Sequence, residues 1–190
     1  MDYQLISDSS CDLEQSLREK YDIEVVPFYI SFDEENYQKE VEEIAIDDVY
    51  RKMVDLPKQY PKTSLPSVQN YVDAFTPHAR EGRAVICICI TTSLSGSYNS
   101  ACNAKEIVCE EYPDAKITVI NSLGATVLQG LYVIQAAKLK QSGASYDEAV
   151  EKLTSKEYLS TGRIFFTVGN TDYLKPVSYT HLRAHETRRH

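Results

Sequence analysis

Four short segments of the chain carry side chains suited to holding an anion: Asp8-Ser9-Ser10, Thr63-Ser64, Thr91-Thr92-Ser93 running into Ser95-Gly96, and Asn121-Ser122. Hydroxyl groups beside the unpaired backbone N–H groups of a helix start form a neutral anion receptor. The helix dipole supports it, and no lysine or arginine is required. A carboxylate or a phosphate matches that chemistry. Any one of these hydroxyls is also explained by capping its own helix. Four such turns, each at a strand end or before a helix, point instead to one shared crevice. The candidate ligand-binding residues are therefore Ser9, Ser10, Thr63, Ser64, Thr92, Ser95, Gly96 and Ser122.

Competing chemistries are weakly supported. An acyl hydrolase using Ser95 as nucleophile needs a base and a strained elbow. Leu94-Ser95-Gly96 lacks the Gly-x-Ser-x-Gly pattern, and His78, which follows Pro77 and reads as a solvated surface residue, is the one histidine outside residues 176–190. An oxyanion receptor without a base favours binding over turnover, so no catalytic residue is assigned. Serine-dependent acyl hydrolysis at Ser95 and a regulatory module binding a small anion stand as the alternatives. Neither a Gly-x-x-x-x-Gly-Lys loop nor a Gly-x-Gly-x-x-Gly fingerprint is present, so no nucleotide cofactor is expected. The acidic stretches at Asp33-Glu34-Glu35 and residues 40–43 lack the ligand order of a calcium loop and read as a solvated face, so no metal site is assigned. Cys87 and Cys89, two apart, point to the same face of a strand and read as core. Five cysteines, mostly in apolar runs, suit reduced thiols rather than a disulfide framework.

The elements that must position these turns alternate between strand and helix. Residues 3–7 read as a strand, 8–12 as a polar turn and 13–20 as a helix. Residues 23–32 form a second strand, which Pro27 assigns to an edge or a bulge because proline cannot donate to the ladder. A short helix over 46–54 and a loop over 57–66 lead to Ser67, which caps a helix running to about residue 79. Residues 84–90 are almost uninterruptedly apolar, as a strand at the centre of a parallel sheet should be. A helix then repeats Tyr98, Ala101, Ala104 and Val108 on one face. A strand over 117–120 and an apolar helix over 123–139 follow, the latter ended by Gly143, and Ser145 with Glu148 has capping-box spacing. This alternation predicts an α/β fold, a parallel sheet with helices on both faces, and a ligand beyond the carboxyl ends of the strands.

A formal charge of -8 and a pI near 5.0 argue against nucleic acid as a partner. No run approaches the roughly 20 apolar residues of a membrane span and no signal segment opens the chain, so a cytoplasmic protein without stable membrane insertion is expected. Residues 176–190 differ in composition, with three of the four histidines and three arginines against one glutamate. They read as a foreign tail and are set aside.

Several of these segments resemble one family. Asp8-Ser9-Ser10-Cys11-Asp12-Leu13 after the first strand, and Val25-Val26-Pro27 with Ile30 in the second, are similar to the opening of DegV-family fatty-acid-binding proteins. Lys62-Thr63-Ser64-Leu65-Pro66-Ser67 resembles the family's Thr-Ser-x-Pro-Ser motif. Leu94-Ser95-Gly96-Ser97-Tyr98-Asn99-Ser100-Ala101 resembles its Leu-Ser-Gly-Thr-Tyr-x-Ser-Ala motif, with serine for threonine at position 97. The resemblance implies a two-domain α/β protein that holds a long-chain fatty acid in a tunnel. The carboxylate would lie near Thr63, Ser64, Ser95 and Gly96, and a separate fatty acid kinase would phosphorylate it with ATP. Asn121-Ser122 stands where the family usually has Asp-Ser. Asp172-Tyr173-Leu174-Lys175 looks like the start of the family's second domain, most of which the tail replaces. The expected organisation is a lipid-binding α/β domain over 1–165, the start of a truncated second domain over 166–175, and the tail over 176–190.

Overall fold

The computed structural model describes residues 2–57 and 59–165. The Asp172-Tyr173 segment and the tail lie outside the described residues. Two compact units are present, one holding residues 2–29 and 65–164, the other built around residues 30–64.

In chain order the elements are β1 (Tyr3–Asp8), a 3-10 turn (Ser9–Cys11), α1 (Gln15–Tyr21), β2 (Ile23–Val26), β3 (Tyr29–Ser31), β4 (Gln38–Lys39), α2 (Ile46–Asp55), β5 (Lys62–Ser64), α3 (Val68–Arg80), β6 (Ala84–Cys89), α4 (Ser97–Glu111), β7 (Ile117–Asn121), α5 (Thr126–Gln141), α6 (Tyr146–Thr154) and α7 (Lys156–Ser160). The first unit is built on a four-stranded sheet in the order β2-β1-β6-β7, every pair parallel. Leu5 sits between Ile23 and Ile86, and Ile88 pairs with Ile120. All six residues of β1 and all six of β6 are buried, as two interior strands covered on both faces must be. Alternation along the strands sends Tyr3, Leu5, Ile86, Ile88 and Ile120 to one face, where α5 and α6 supply Val133, Ala136, Ala137, Ala149 and Leu153. Ile6, Val85, Cys87 and Cys89 go to the other face, against Tyr71 and Phe75 of α3 and Ala101, Ala104 and Val108 of α4. Each fully buried leucine or isoleucine contributes about 1.5–3 kcal/mol to this core.

Several boundaries depart from expectation. Pro27 interrupts the apolar run over 23–32, so β2 ends at Val26 on the sheet edge and β3 pairs elsewhere, in a small three-stranded sheet ordered β4-β3-β5. The segment 57–66 is not all loop, since β5 lies in it. The second unit has its own small core of Ile30, Ile44 and Val49, with Phe32 and Met53 packed against it. Helix α5 starts at Thr126, not at residue 123, because hydrogen bonds hold residues 121–125 in a turn. His78 is not solvated. Its side chain is 13% exposed and its Nε2 lies 2.9 Å from Glu24 Oε2, tying α3 to β2. Cys87 and Cys89 do share a face, with their sulfurs 3.7 Å apart. No helix among the described residues is long and apolar enough to cross a membrane.

Candidate functional site

The carboxyl ends of β1, β6 and β7 lie side by side in the first unit, so the turns that follow them share one edge of the sheet. These are residues 9–12, 90–96 and 122–125, and they carry six of the eight candidate residues. Backbone bonds join the last two: Thr91 N–H donates to Gly124 O at 2.9 Å and Ser122 N–H to Cys89 O at 3.0 Å. Thr63 and Ser64 are exposed residues of β5, in the second unit.

Behind this edge is a buried carboxylate. Asp8 closes β1, is 0% exposed and has no ion-pair partner among the described residues. Its Oδ2 accepts from Ile90 N–H at 3.0 Å and from the Ser97 hydroxyl at 2.8 Å. Its Oδ1 accepts from Gln129 Nε2 at 2.8 Å and from the Ser10 hydroxyl at 2.5 Å. A carboxylate only accepts, so the single hydroxyl proton of Ser97 points at Asp8. The Tyr71 hydroxyl, 2.6 Å from Ser97 Oγ, must then be the donor to it. Burial, with Cys89 and Asp8 nearby, pushes the Tyr71 phenol well above its ordinary range, so it keeps the proton this chain requires.

Proton direction sorts the candidate hydroxyls. The Ser10 proton is committed between Asp8 Oδ1 and Gln129 Oε1, the latter at 2.8 Å. Ser122 is fully buried, and its hydroxyl donates to Gly124 O at 3.0 Å. Ser9 Oγ accepts from Phe28 N–H at 2.9 Å, which fastens the chain just after Pro27. Ser95 and Thr92 are arranged the other way round. Ser95 Oγ accepts from Ser97 N–H at 3.2 Å and so keeps its proton for another acceptor. Thr92 Oγ1 accepts from Asn121 Nδ2 at 3.0 Å. The orientation of that amide is set by Leu123 N–H, which donates to Asn121 Oδ1 at 3.0 Å and leaves the NH2 facing Thr92. An aspartate at 121 would instead take the Thr92 proton. Asparagine leaves it free.

Gly96 is the N-cap of α4 and has no side chain to cap the helix, so the side-chain acceptor at its first turn is Ser95 Oγ, which takes the Ser97 N–H. The N-terminal end of this 15-residue helix therefore lies beside the Ser95 hydroxyl. Leu65 packs close by, its Cδ2 3.5 Å from where a β-carbon on Gly96 would lie. Leu94 and Leu123, exposed on the neighbouring turns, add an apolar rim. An apolar rim around donors without cations suits an amphiphilic carboxylate. Asp8, Tyr71, Ser97 and Gln129 were not among the sequence candidates. Asp8 has a readable signal, as a polar residue ending a buried strand, whereas Gln129 lies 121 residues from its partner and has none.

Comparison with known proteins gives the family. Residues 2–176 match the family model described as "Uncharacterised protein, DegV family". A DegV domain-containing protein of Clostridium acetobutylicum is 31% identical over 175 residues, which is 92% of this chain and 59% of that protein. Among solved structures, a stearic acid-binding protein from Eubacterium ventriosum is 47% identical with a TM-score of 0.87, over 93% of this chain and 59% of that one. The Fatty Acid Kinase (Fak) B3 protein of Streptococcus pneumoniae, loaded with linoleic acid, is 31% identical with a TM-score of 0.67, over 81% of this chain and 53% of that one. The chain thus spans little more than half the length of these relatives. With a family model matched over nearly its whole length, it belongs to the DegV family.

Proposed function

We propose that this chain binds a long-chain fatty acid through its carboxylate, with Ser95 and Thr92 as hydroxyl donors and the N-terminal end of α4 as the helix-dipole contribution. Thr63 and Ser64, exposed on β5, are further head-group candidates on the strength of the family motif they resemble. The observation that carries the reading is the Ser95 hydroxyl, which accepts from Ser97 N–H and retains its own proton beside the helix end. The 47% identity to a stearic acid-binding protein supports the same ligand class. The role is binding, not turnover. The hydrogen-bond partner of Ser95 is a donor and not a base, and His78 is engaged with Glu24. The further proposal that the bound acid is handed to an ATP-dependent fatty acid kinase is supported by the likeness to the S. pneumoniae protein.

Calorimetric titration with stearate and with stearyl alcohol tests the reading. The acid is expected to bind more tightly than the alcohol, and addition of the kinase with ATP is expected to yield an acyl phosphate. Equal affinities would remove the carboxylate site, and hydrolysis of acyl esters that disappears in Ser95→Ala would favour the hydrolase.

A further inference from the structure

We propose that Asp8 is the positioning residue of the head-group turn, holding the segment from Ile90 to Ser97 in the geometry that turns the Ser95 proton outward. This rests on the fatty-acid reading only for its consequence in affinity. A buried carboxylate is tolerated only where hydrogen bonds replace its hydration. Those of Asp8 come from separate parts of the chain: Ser10 after β1, Ile90 after β6, Ser97 at the start of α4, and Gln129 on α5. Ile90 and Ser97 bracket residues 91–96, so both ends of that turn are pinned to the same carboxylate oxygen. The pinning also sets proton direction. The Ser97 hydroxyl gives its proton to Asp8, and the Ser97 backbone N–H can only donate, so in the turn held this way Ser95 is the acceptor. Gln129 closes the other side by donating to Asp8 at 2.8 Å and to Ser7 Oγ at 3.1 Å. Asp8 need not touch the ligand to act in this way.

Amide hydrogen exchange on the unliganded chain reads the positioning directly, and stearate and stearyl alcohol titrations read its consequence. In Asp8→Ala, exchange at residues 95–99 should rise about tenfold or more while residues 86–89 of β6 keep their protection. Stearate affinity should fall about tenfold with the alcohol unchanged. Asp8→Asn should lie close to the parent, because its Oδ1 can still accept from Ile90 and Ser97, and the Gln129 amide can rotate to meet the new NH2. Should Asp8→Ala fail to fold, Ser97→Ala, which leaves Asp8 three donors, is expected to show the same confined loosening. Parental exchange at 95–99 in Asp8→Ala or Ser97→Ala, or a uniform rise across the sheet, overturns the proposal. A parent that binds no stearate but shows the confined loosening refutes the fatty-acid reading and leaves the positioning role standing. Stearate binding with an unmoved turn does the reverse.

Discussion

At the scale of single residues, the direction of each hydroxyl proton decides what the site can hold. In the proposed reading Ser95 donates to the carboxylate, so its replacement by alanine removes one hydrogen bond to a charged group. Ser95→Ala should therefore cost about 1.5–3 kcal/mol of stearate affinity, roughly ten- to a hundredfold, and lower the melting temperature by only about 2–4 °C, because Ser97 N–H loses its Oγ acceptor. Titration calorimetry alongside thermal melting checks both parts, and an unchanged affinity would count against Ser95 as a contact. Cys11 lends itself to a pH prediction. Burial, reinforced by Asp8 and Asp12, pushes its thiol from 9.0 up to about 11, against hydrogen bonds from Leu13 and Ser7 that pull it down. Between those values the unfolded thiol loses its proton while the folded one keeps it. The folded state then binds more protons, and stability falls as pH rises. The contribution is complete below pH 9 and is lost toward pH 11, a difference of about 3 kcal/mol. Melting at pH 8 and pH 10.5 should show a steeper alkaline loss in the parent than in Cys11→Ala, and equal slopes would contradict it.

At the scale of elements, the alternating pattern of strands and helices was legible because period and burial agree. The continuous apolar run of β6 announces an interior strand, and Ser67 and Ser145 form the capping boxes that start α3 and α6. The start of α5 was not legible, because Leu123 continues an apolar helical pattern. Side-chain and backbone bonds from Ser122, Asn121 and Thr91 to residues 123 and 124 override that propensity, with Leu123 at φ 53° and Thr126, where the helix opens, at φ 49°. The Ser95-Gly96 turn was readable as a hydroxyl before a helix. The carboxylate behind it was not, since its partners converge only in the folded chain. Gly130 belongs to the same convergence. A β-carbon there would lie 2.5 Å from Cys11 O, so glycine lets α5 approach the 3-10 turn closely enough for Gln129 to reach Asp8. Gly130→Ala should destabilise by about 1–3 kcal/mol despite alanine's better helix propensity, because the obstructing atom is backbone. Urea denaturation should show a lower midpoint, and a raised midpoint would mean the approach is not constrained.

At the scale of the whole molecule, the chain spans 59% of its C. acetobutylicum relative and carries an uncovered apolar stripe on α5. Val127 is 65% and Leu131 52% exposed, one helical turn apart, with Leu123 at 57% just before the helix. Contiguous exposed apolar surface of this kind drives association. Sedimentation velocity should show a mass that rises with concentration, more steeply in high salt because screening weakens the repulsion between chains of formal charge -8. Val127→Glu combined with Leu131→Glu should restore a monomer, and a parent that is monomeric at every concentration would contradict the prediction.

In the proposed function the sheet edge formed by residues 9–12, 90–96 and 122–125 receives a fatty acid carboxylate. Native mass spectrometry of the delipidated chain incubated with stearate tests it most directly. One stearate should be retained per chain in the parent, with a reduced bound fraction in Ser95→Ala. No mass increment in the parent, or equal retention by parent and variant, would contradict it.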